Sequence, residues 1–209
     1  GCGVNEHMKS QFNKKLKRNE LLDFMRQQLP TVVVMEACYS SHYWGREIAK
    51  LGHDTKLIPA QHVTPFVRGN KNDHNDAFAI AEASQRANIR FVPVKSEHQQ
   101  EISCFHRIRE RLIKNKTTMS NQARGLLSEF GVVFPCGNKA LLNGLTSVID
   151  NPQYSHRLQD MVLEMLSEYH ITIERLKSRQ KQVDEFVDES ESGEILRSIL
   201  GIGVINASA

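Results

Sequence analysis

The sequence predicts an α/β fold that gives way to long helices, on the strength of three observations. Thr31-Val32-Val33-Val34-Met35 is an unbroken apolar run closed by Glu36, the pattern of a strand buried on both faces. Between residues 32 and 94 strand-like and helix-like stretches alternate, as they do where helices cover a mostly parallel sheet. Beyond residue 97 no convincing strand remains, and two long helical stretches, 97–129 and 155–187, take over.

In chain order, Gly1-Cys2-Gly3-Val4 reads as the middle of a strand. Residues 32–37 form the buried strand, and 41–51 a helix stopped by Gly52. Residues 55–59 form a short strand, 61–72 a polar loop containing Pro65 and Gly69, 73–87 an alanine-rich helix, and 89–94 a strand of alternating apolar residues. In the helix over 97–129, Ile102, Phe105, Leu112, Met119, Ala123 and Leu126 fall largely at three- and four-residue steps. Pro135 and Gly137 break the pattern over 131–138. Over 155–187, Leu158, Val162, Met165, Tyr169, Thr172, Leu176, Val183 and Phe186 lie near heptad spacing, which predicts an antiparallel helical pair or coiled coil. Thr172 and Arg179 weaken its seam. Residues 188–193 are acidic and polar, a linker composition. Residues 196–207 follow the apolar, Gly-x-Gly, apolar order of a helix-hairpin-helix, with Gly201 and Gly203 at the turn and a helix start that can offer N–H groups to a phosphate.

At 209 residues the chain can bury a sizeable core in one or two domains. The net charge of +3 is too small to identify a nucleic-acid binder by itself. Its distribution says more: Arg107, Arg109, Arg111, Lys114, Lys116 and Arg124 face only Glu110, a stripe that suits phosphates and equally suits a solvated helix face. Cys2, Cys38, Cys104 and Cys136 include no Cys-x-x-Cys pair, which points to reduced thiols in the cytoplasm and away from a zinc ribbon. No stretch approaches the roughly 18 apolar residues of a membrane span, and no signal peptide is visible. His42, His53, His62 and His74 are scattered without zinc spacing, and Tyr43 and Trp44 read as helix-packing residues. Both ends read as internal, so a fragment of a longer protein is expected.

The chemistry concentrates in Lys71-Asn72-Asp73-His74-Asn75-Asp76-Ala77. Asp73 and Asp76, three residues apart at a helix start, share one face, and carboxylates with water are what Mg²⁺ prefers. Glu36, at a strand end, is the third acid, and a strand end beside a helix start is where α/β active sites form. Each acid has a plainer reading: Asp73 as a helix cap, Asp76 as a favourable first-turn acid, Glu36 as a strand end reaching solvent. Arg68 and Lys71, on a glycine-containing loop beside the acids, suit a nucleic-acid backbone or simple solvation.

Three segments carry a family resemblance in order: residues 35–44 (Met35-Glu36-Ala37-Cys38 through Trp44), 59–63 (Pro59-Ala60-Gln61-His62-Val63) and 67–77 (Val67-Arg68-Gly69 through Ala77). Together they resemble the IS110 family of transposases, its IS1111-like branch in particular, and the Gly201-Ile202-Gly203 turn resembles the start of that family's second conserved domain. The resemblance implies a RuvC-like, RNase H-type domain over residues 1–130, including the long helix from about 97. A helical, coiled-coil-like segment follows over 131–190, and a helix-hairpin-helix domain begins over 191–209. It implies an Asp-Glu-Asp-Asp metal tetrad in which Glu36, Asp73 and Asp76 match the second, third and fourth members, with the first aspartate on a strand before Gly1. It also implies Mg²⁺, DNA as substrate, a structured guide RNA, a homo-oligomer, and a nucleophilic serine downstream of the hairpin, a role not assigned to Ser208. Leu200 and Val204 depart from the family's usual prolines.

On that reading the intact protein excises and inserts a mobile element, with Arg107, Arg111, Lys114, Gly201 and Gly203 among its nucleic-acid contacts, while the chain as given is expected to be catalytically silent. Two alternatives stand beside it: a non-enzymatic nucleic-acid-binding remnant of a transposase, and a RuvC-type junction resolvase, against which the hairpin counts.

Overall fold

The computed structural model describes residues 1–67, 72–189, 195–196, 198–199 and 203–208. The chain divides into two compact units, Gly1–His98 and Gln99–Ala209.

The first unit holds two small sheets. β1 (Cys2–Val4) pairs antiparallel with β2 (Ser10–Asn13). The connecting turn is tied by Asn5, whose side-chain oxygen accepts from the His7 and Lys9 amides at 3.1 and 2.9 Å. α1 (Leu21–Arg26) follows. β3 (Val32–Glu36) and β4 (Asp54–Ile58) pair in parallel from Val32↔Asp54 to Glu36↔Ile58, and α2 (Ser41–Lys50) makes the crossover. Gly52 lets the chain leave α2 at φ +92°, a conformation that favours glycine. His53 is buried where β4 begins: the Thr31 amide donates to its Nδ1 (3.3 Å), so its Nε2 donates to the Met25 carbonyl (3.0 Å).

The segment expected as a polar loop after β4 is instead helical in its first half. α3 (Ala60–Val63) and a 3₁₀ turn (Thr64–Phe66) bury Val63, and Pro65 sits in the first positions of that turn, where its missing N–H costs nothing. Residues 68–71 lie outside the described residues. α4 (Asp73–Ser84) then packs across β1 and β3. The strand expected over 89–94 reduces to a single antiparallel bridge, Val92 to Leu57, with the Val92 amide donating to the Leu57 carbonyl at 2.7 Å. Pro93 has no amide with which to extend it, and Ile89 and Phe91 serve as packing against the core of Ile58, Val63, Ala79 and Ala83. Among the described residues the expected mostly parallel sheet is therefore one parallel pair beside one antiparallel pair.

The second unit is helical: α5 (Glu97–Ser128), α6 (Asn138–Ile149), α7 (His156–Asp188) and α8 (Val204–Ala207). Ser155 caps α7, its hydroxyl accepting from the Leu158 amide. α5 and α7 run antiparallel, as expected: the Arg179 guanidinium lies 6.0 Å from the Phe105 ring, Arg109 Nε donates to Gln180 Oε1 (2.9 Å), and Thr172 Oγ1 reaches Met119 Sδ (3.7 Å). α6 lies in the helical segment expected over 131–190 but was not foreseen as a separate helix. Its buried Leu141, Leu145 and Val148 fall at helical steps and join Ala123 and Leu127 of α5 and Leu158, Val162 and Tyr169 of α7 in one core. The buried face of α5 uses Leu127, fully buried, where the periodicity suggested Leu126, which is 40 % exposed. Likewise Val187, next to the expected Phe186, is the fully buried residue at the end of α7.

No helix among the described residues is long and apolar enough to cross a membrane. All four thiols are free.

Candidate functional site

Strand periodicity aims Glu36. Val34 packs against the core that holds Ala79 and Ala83 of α4, and side chains two apart on a strand share a face. Glu36 therefore lies on the face of β3 that α4 covers, half-buried at the strand's last rung. Helix periodicity aims Asp76 the same way: it precedes the buried Ala79 by three residues and Ala83 by seven, on the same stripe of α4.

Asp73 is placed differently. The cap position belongs to Asn72, whose side-chain oxygen accepts from the Asn75 amide (2.8 Å) while its carbonyl accepts from the Asp76 amide (3.0 Å). Asp73 is thus the first residue inside the helix, relieved of the capping role that the sequence left open. Its carboxylate is 84 % exposed, with Lys15 Nζ 3.4 Å from Oδ2. Two such exposed groups hold each other weakly.

The chain leaves β3 through a tight turn. The Ala37 amide donates to Ile58 O (2.8 Å), the Cys38 amide folds back to Glu36 O (2.8 Å), and Ser40 takes a left-handed φ of +64° before α2 begins. Burial, and then the negative charge of Glu36, push the Cys38 thiol up from its ordinary pKa. The thiol therefore senses the Glu36 charge.

By periodicity Glu36 and Asp76 thus fall on the faces of β3 and α4 that pack together, while Asp73 sits exposed at the helix start. Among the described residues, no group of three or more His, Cys, Asp or Glu side chains closes into a cation site.

The remaining expected residues separate into groups. Arg107, Arg111 and Lys114 are exposed on α5 at i, i+4 and i+7, one continuous face. Arg109 and Arg124, from the same basic stretch, are engaged inside the second unit instead. Arg109 is bound to Gln180, while Arg124 donates to the Pro135 and Gly137 carbonyls, both at 3.3 Å, and lies 5.4 Å from the Phe134 ring. Gly203 is exposed directly before α8. Gly201, Arg68 and Lys71 lie outside the described residues. Ser208 is buried, its hydroxyl 2.8 Å from Val204 O and 3.0 Å from His106 Nε2, so it is occupied within the fold.

The sequence reading passed over a second basic cluster, although the run Lys14-Lys15-Leu16-Lys17-Arg18 was there to see. Lys15 meets Asp73, and the Arg18 guanidinium lies 5.0 Å from the Trp44 ring. Trp44 in turn makes an edge contact with Tyr43 at 5.0 Å. Arg18, Asn19, Leu22, Tyr43 and Trp44 line an open cleft of ≈ 500 Å³.

Comparison with known proteins identifies the family. The family model for DEDD transposases of IS110 type, described as "Transposase", matches residues 4–132. The chain is 37 % identical over 210 residues to a "Probable family 20 transposase" of Pseudomonas aeruginosa, covering 99 % of this chain and 62 % of that protein. It is 34 % identical over 203 residues to the transposase for insertion sequence element IS1328 of Yersinia enterocolitica, covering 97 % and 60 % respectively. Against the transposase for insertion sequence element IS1111A of Coxiella burnetii it is 33 % identical over 212 residues, covering 99 % and 57 %. The chain therefore spans about three fifths of the length of these relatives. A family model covering most of the chain, and relatives alike along nearly all of it, establish that the chain belongs to the IS110 family of transposases.

Proposed function

We propose that Glu36, Asp76 and Asp73 are the cation-holding acids of a RuvC-like transposase domain that cleaves and rejoins DNA. The observation that carries this reading is the shared aim of Glu36 and Asp76 into the layer between β3 and α4, with Asp73 one turn earlier on the same helix. Oxygen donors without thiolate or imidazole suit a hard divalent cation such as Mg²⁺. Mg²⁺ held there supplies a Lewis acid for a phosphodiester oxygen.

The protein's own residues supply the rest. Glu36, fixed by its rung with Ile58 and by the turn behind it, gives the site a rigid wall. Arg107, Arg111 and Lys114 offer one face to phosphates, where contacts position a duplex without reading its sequence. Arg68 and Lys71, beside the acids in the sequence, belong with the backbone contacts. Gly201 and Gly203 belong to a helix-hairpin-helix turn whose amides bind a phosphate. A structured guide RNA directs the intact protein, and the long antiparallel helices α5 and α7 serve its homo-oligomerisation.

The test is cation binding, read without activity. Mg²⁺ titrated into the chain should raise its melting temperature, and Mn²⁺ should give a bound paramagnetic signal. Glu36→Gln and Asp76→Asn should each abolish most of both effects while leaving the cation-free melting temperature near that of the parent. Unchanged Mn²⁺ binding in both variants refutes the site. In the full-length transposase, the same substitutions should abolish recombination between element ends.

A further inference from the structure

The cleft beside Trp44 is the strongest feature that the acid site leaves unexplained. Its walls combine two aromatic rings in edge contact, an arginine over one of them, an amide from Asn19 and an apolar floor from Leu22. It is an open surface cleft of ≈ 500 Å³, wide enough to admit a planar ring. Tyr43 is 43 % exposed, although it sits on the helix that makes the β3–β4 crossover. Core packing therefore does not account for the ring.

The chemistry of the rim names the occupant. Lys14, Lys15, Lys17 and Arg18 place four cations in five residues on the segment leading into the cleft. Such a run favours a polyanion over an acidic side chain or a neutral ligand. Aromatic rings with an adjacent guanidinium are what an unstacked base packs on, since every base has a π-face. Asn19 adds an amide that can donate to and accept from a base edge. A duplex keeps its bases stacked inside and cannot use such a cleft, so the strand must be unpaired there.

The same segment links the cleft to the acids. Lys15 contacts Asp73, and Arg18 contacts Trp44. Three residues of extended chain span at most about 11 Å between Cα atoms, and the Lys15 and Arg18 side chains reach beyond that, so one short stretch of strand can meet both contacts. We propose that the Tyr43–Trp44 cleft holds one unpaired base of a nucleic-acid strand whose phosphate backbone continues to the acid site, while Lys15 and Lys17 track that backbone. The link to the acid site rests on the proposed function; the base cleft itself does not.

Trp44 is the sole tryptophan of the chain, so its fluorescence reports the cleft directly. The full chain is titrated with a 15-nucleotide single-stranded DNA, the same sequence as RNA, the blunt DNA duplex, and an abasic single strand of equal length, with binding followed in parallel by anisotropy of a labelled strand. Single strands carrying bases should quench Trp44, whereas the abasic strand and the duplex should bind without quenching. Quenching by DNA alone assigns the cleft to a DNA strand, and by RNA alone to an RNA; either supports the proposal. Tyr43→Ala should weaken single-strand binding roughly 5- to 150-fold, the range for loss of one base–aromatic stack, and Tyr43→Phe should bind as the parent does. Lys15→Gln should lower the salt slope by about 0.7 without touching the quench. Single strands that bind with unchanged Trp44 fluorescence, abasic strands that quench equally, or Tyr43→Ala without effect overturn the base cleft and leave the acid site standing. Failure of every oligonucleotide to bind also overturns the base cleft, while the acid site is decided separately by Mn²⁺ binding.

Discussion

Replacing Gly144 by alanine sets two effects of similar size against each other, and the structure decides the sign. Gly144 lies inside α6, where alanine is favoured over glycine by about 1 kcal/mol. A Cβ built there stands 2.5 Å from Phe134 Cδ1 and 2.6 Å from Cγ, where ordinary contact begins at 3.4 Å. The ring must retreat by roughly 1 Å, an overpacking strain of about 1–3 kcal/mol. Its retreat also disturbs the Arg124 guanidinium 5.4 Å away, a cation–π contact of about 0.5–1 kcal/mol. The net expectation for Gly144→Ala is destabilisation by about 1–2 kcal/mol. For a unit of this size that lowers the melting temperature by about 5–10 °C. Thermal and urea denaturation of the chain measure it. The double variant with Phe134→Leu, which trims the ring, should recover at least about 1 kcal/mol relative to the sum of the single effects. A melting temperature raised by Gly144→Ala alone would show that helix propensity dominates and that the close approach of α6 to Phe134 is not rigid.

Three further outcomes are expected. Glu36→Gln removes one of the two causes that raise the Cys38 thiol's pKa, so alkylation of Cys38, followed by peptide mass spectrometry against pH, should shift to lower pH; an unmoved profile refutes the proximity of the two groups. Leu127→Ala should cost about 2–5 kcal/mol in urea denaturation, and Leu126→Ala, one residue earlier, less than about 1 kcal/mol; equal losses contradict the buried face assigned to α5. Arg107→Gln, Arg111→Gln and Lys114→Gln combined should reduce the slope of log binding constant against log salt for duplex DNA by about 2.7 if all three meet phosphates, and an unchanged slope removes α5 from the interface.

The sequence was most legible where one periodicity ran long. α5 and α7 follow three- and four-residue apolar steps over more than eight turns, and their bounds came within a residue or two of those expected. β3 was legible because an unbroken Val-Val-Val-Met run leaves little choice. The misses have local causes. α6 carries Asn143 and Gly144 in its middle, residues that argue against a helix, and Gly144 is there because Phe134 needs the space. The strand expected over 89–94 alternates correctly, but its apolar residues cap the α4 layer, and Pro93 cannot extend the ladder. In the candidate site, the placement of Glu36 at a strand end and of Asp73 and Asp76 at a helix start was legible by type and spacing. The assignment of the cap to Asn72 was not, because Asn72 and Asp73 are both good caps and only the hydrogen bond to the Asn75 amide distinguishes them. The Arg18–Trp44 cleft escaped notice because its parts come from segments 26 residues apart, each with an ordinary local reading.

The register of β3 against β4 has a consequence for how this site can be lost. Val33, Val34, Met35 and Glu36 are all half-buried, so both faces of the strand are covered and neither is strongly preferred by hydrophobicity. A slip of one residue would turn Val33 and Met35 toward α4 and swing Glu36 to the opposite side, with little change in apolar burial. The observed alignment carries a polar bond specific to one residue at its start, the Thr31 amide on His53, beside main-chain bonds from the Asp54 amide to the Thr31 carbonyl and from the Ala37 amide to the Ile58 carbonyl. His53 thus bears on the direction of Glu36 as well as on the stability of the fold, although it touches none of the three acids.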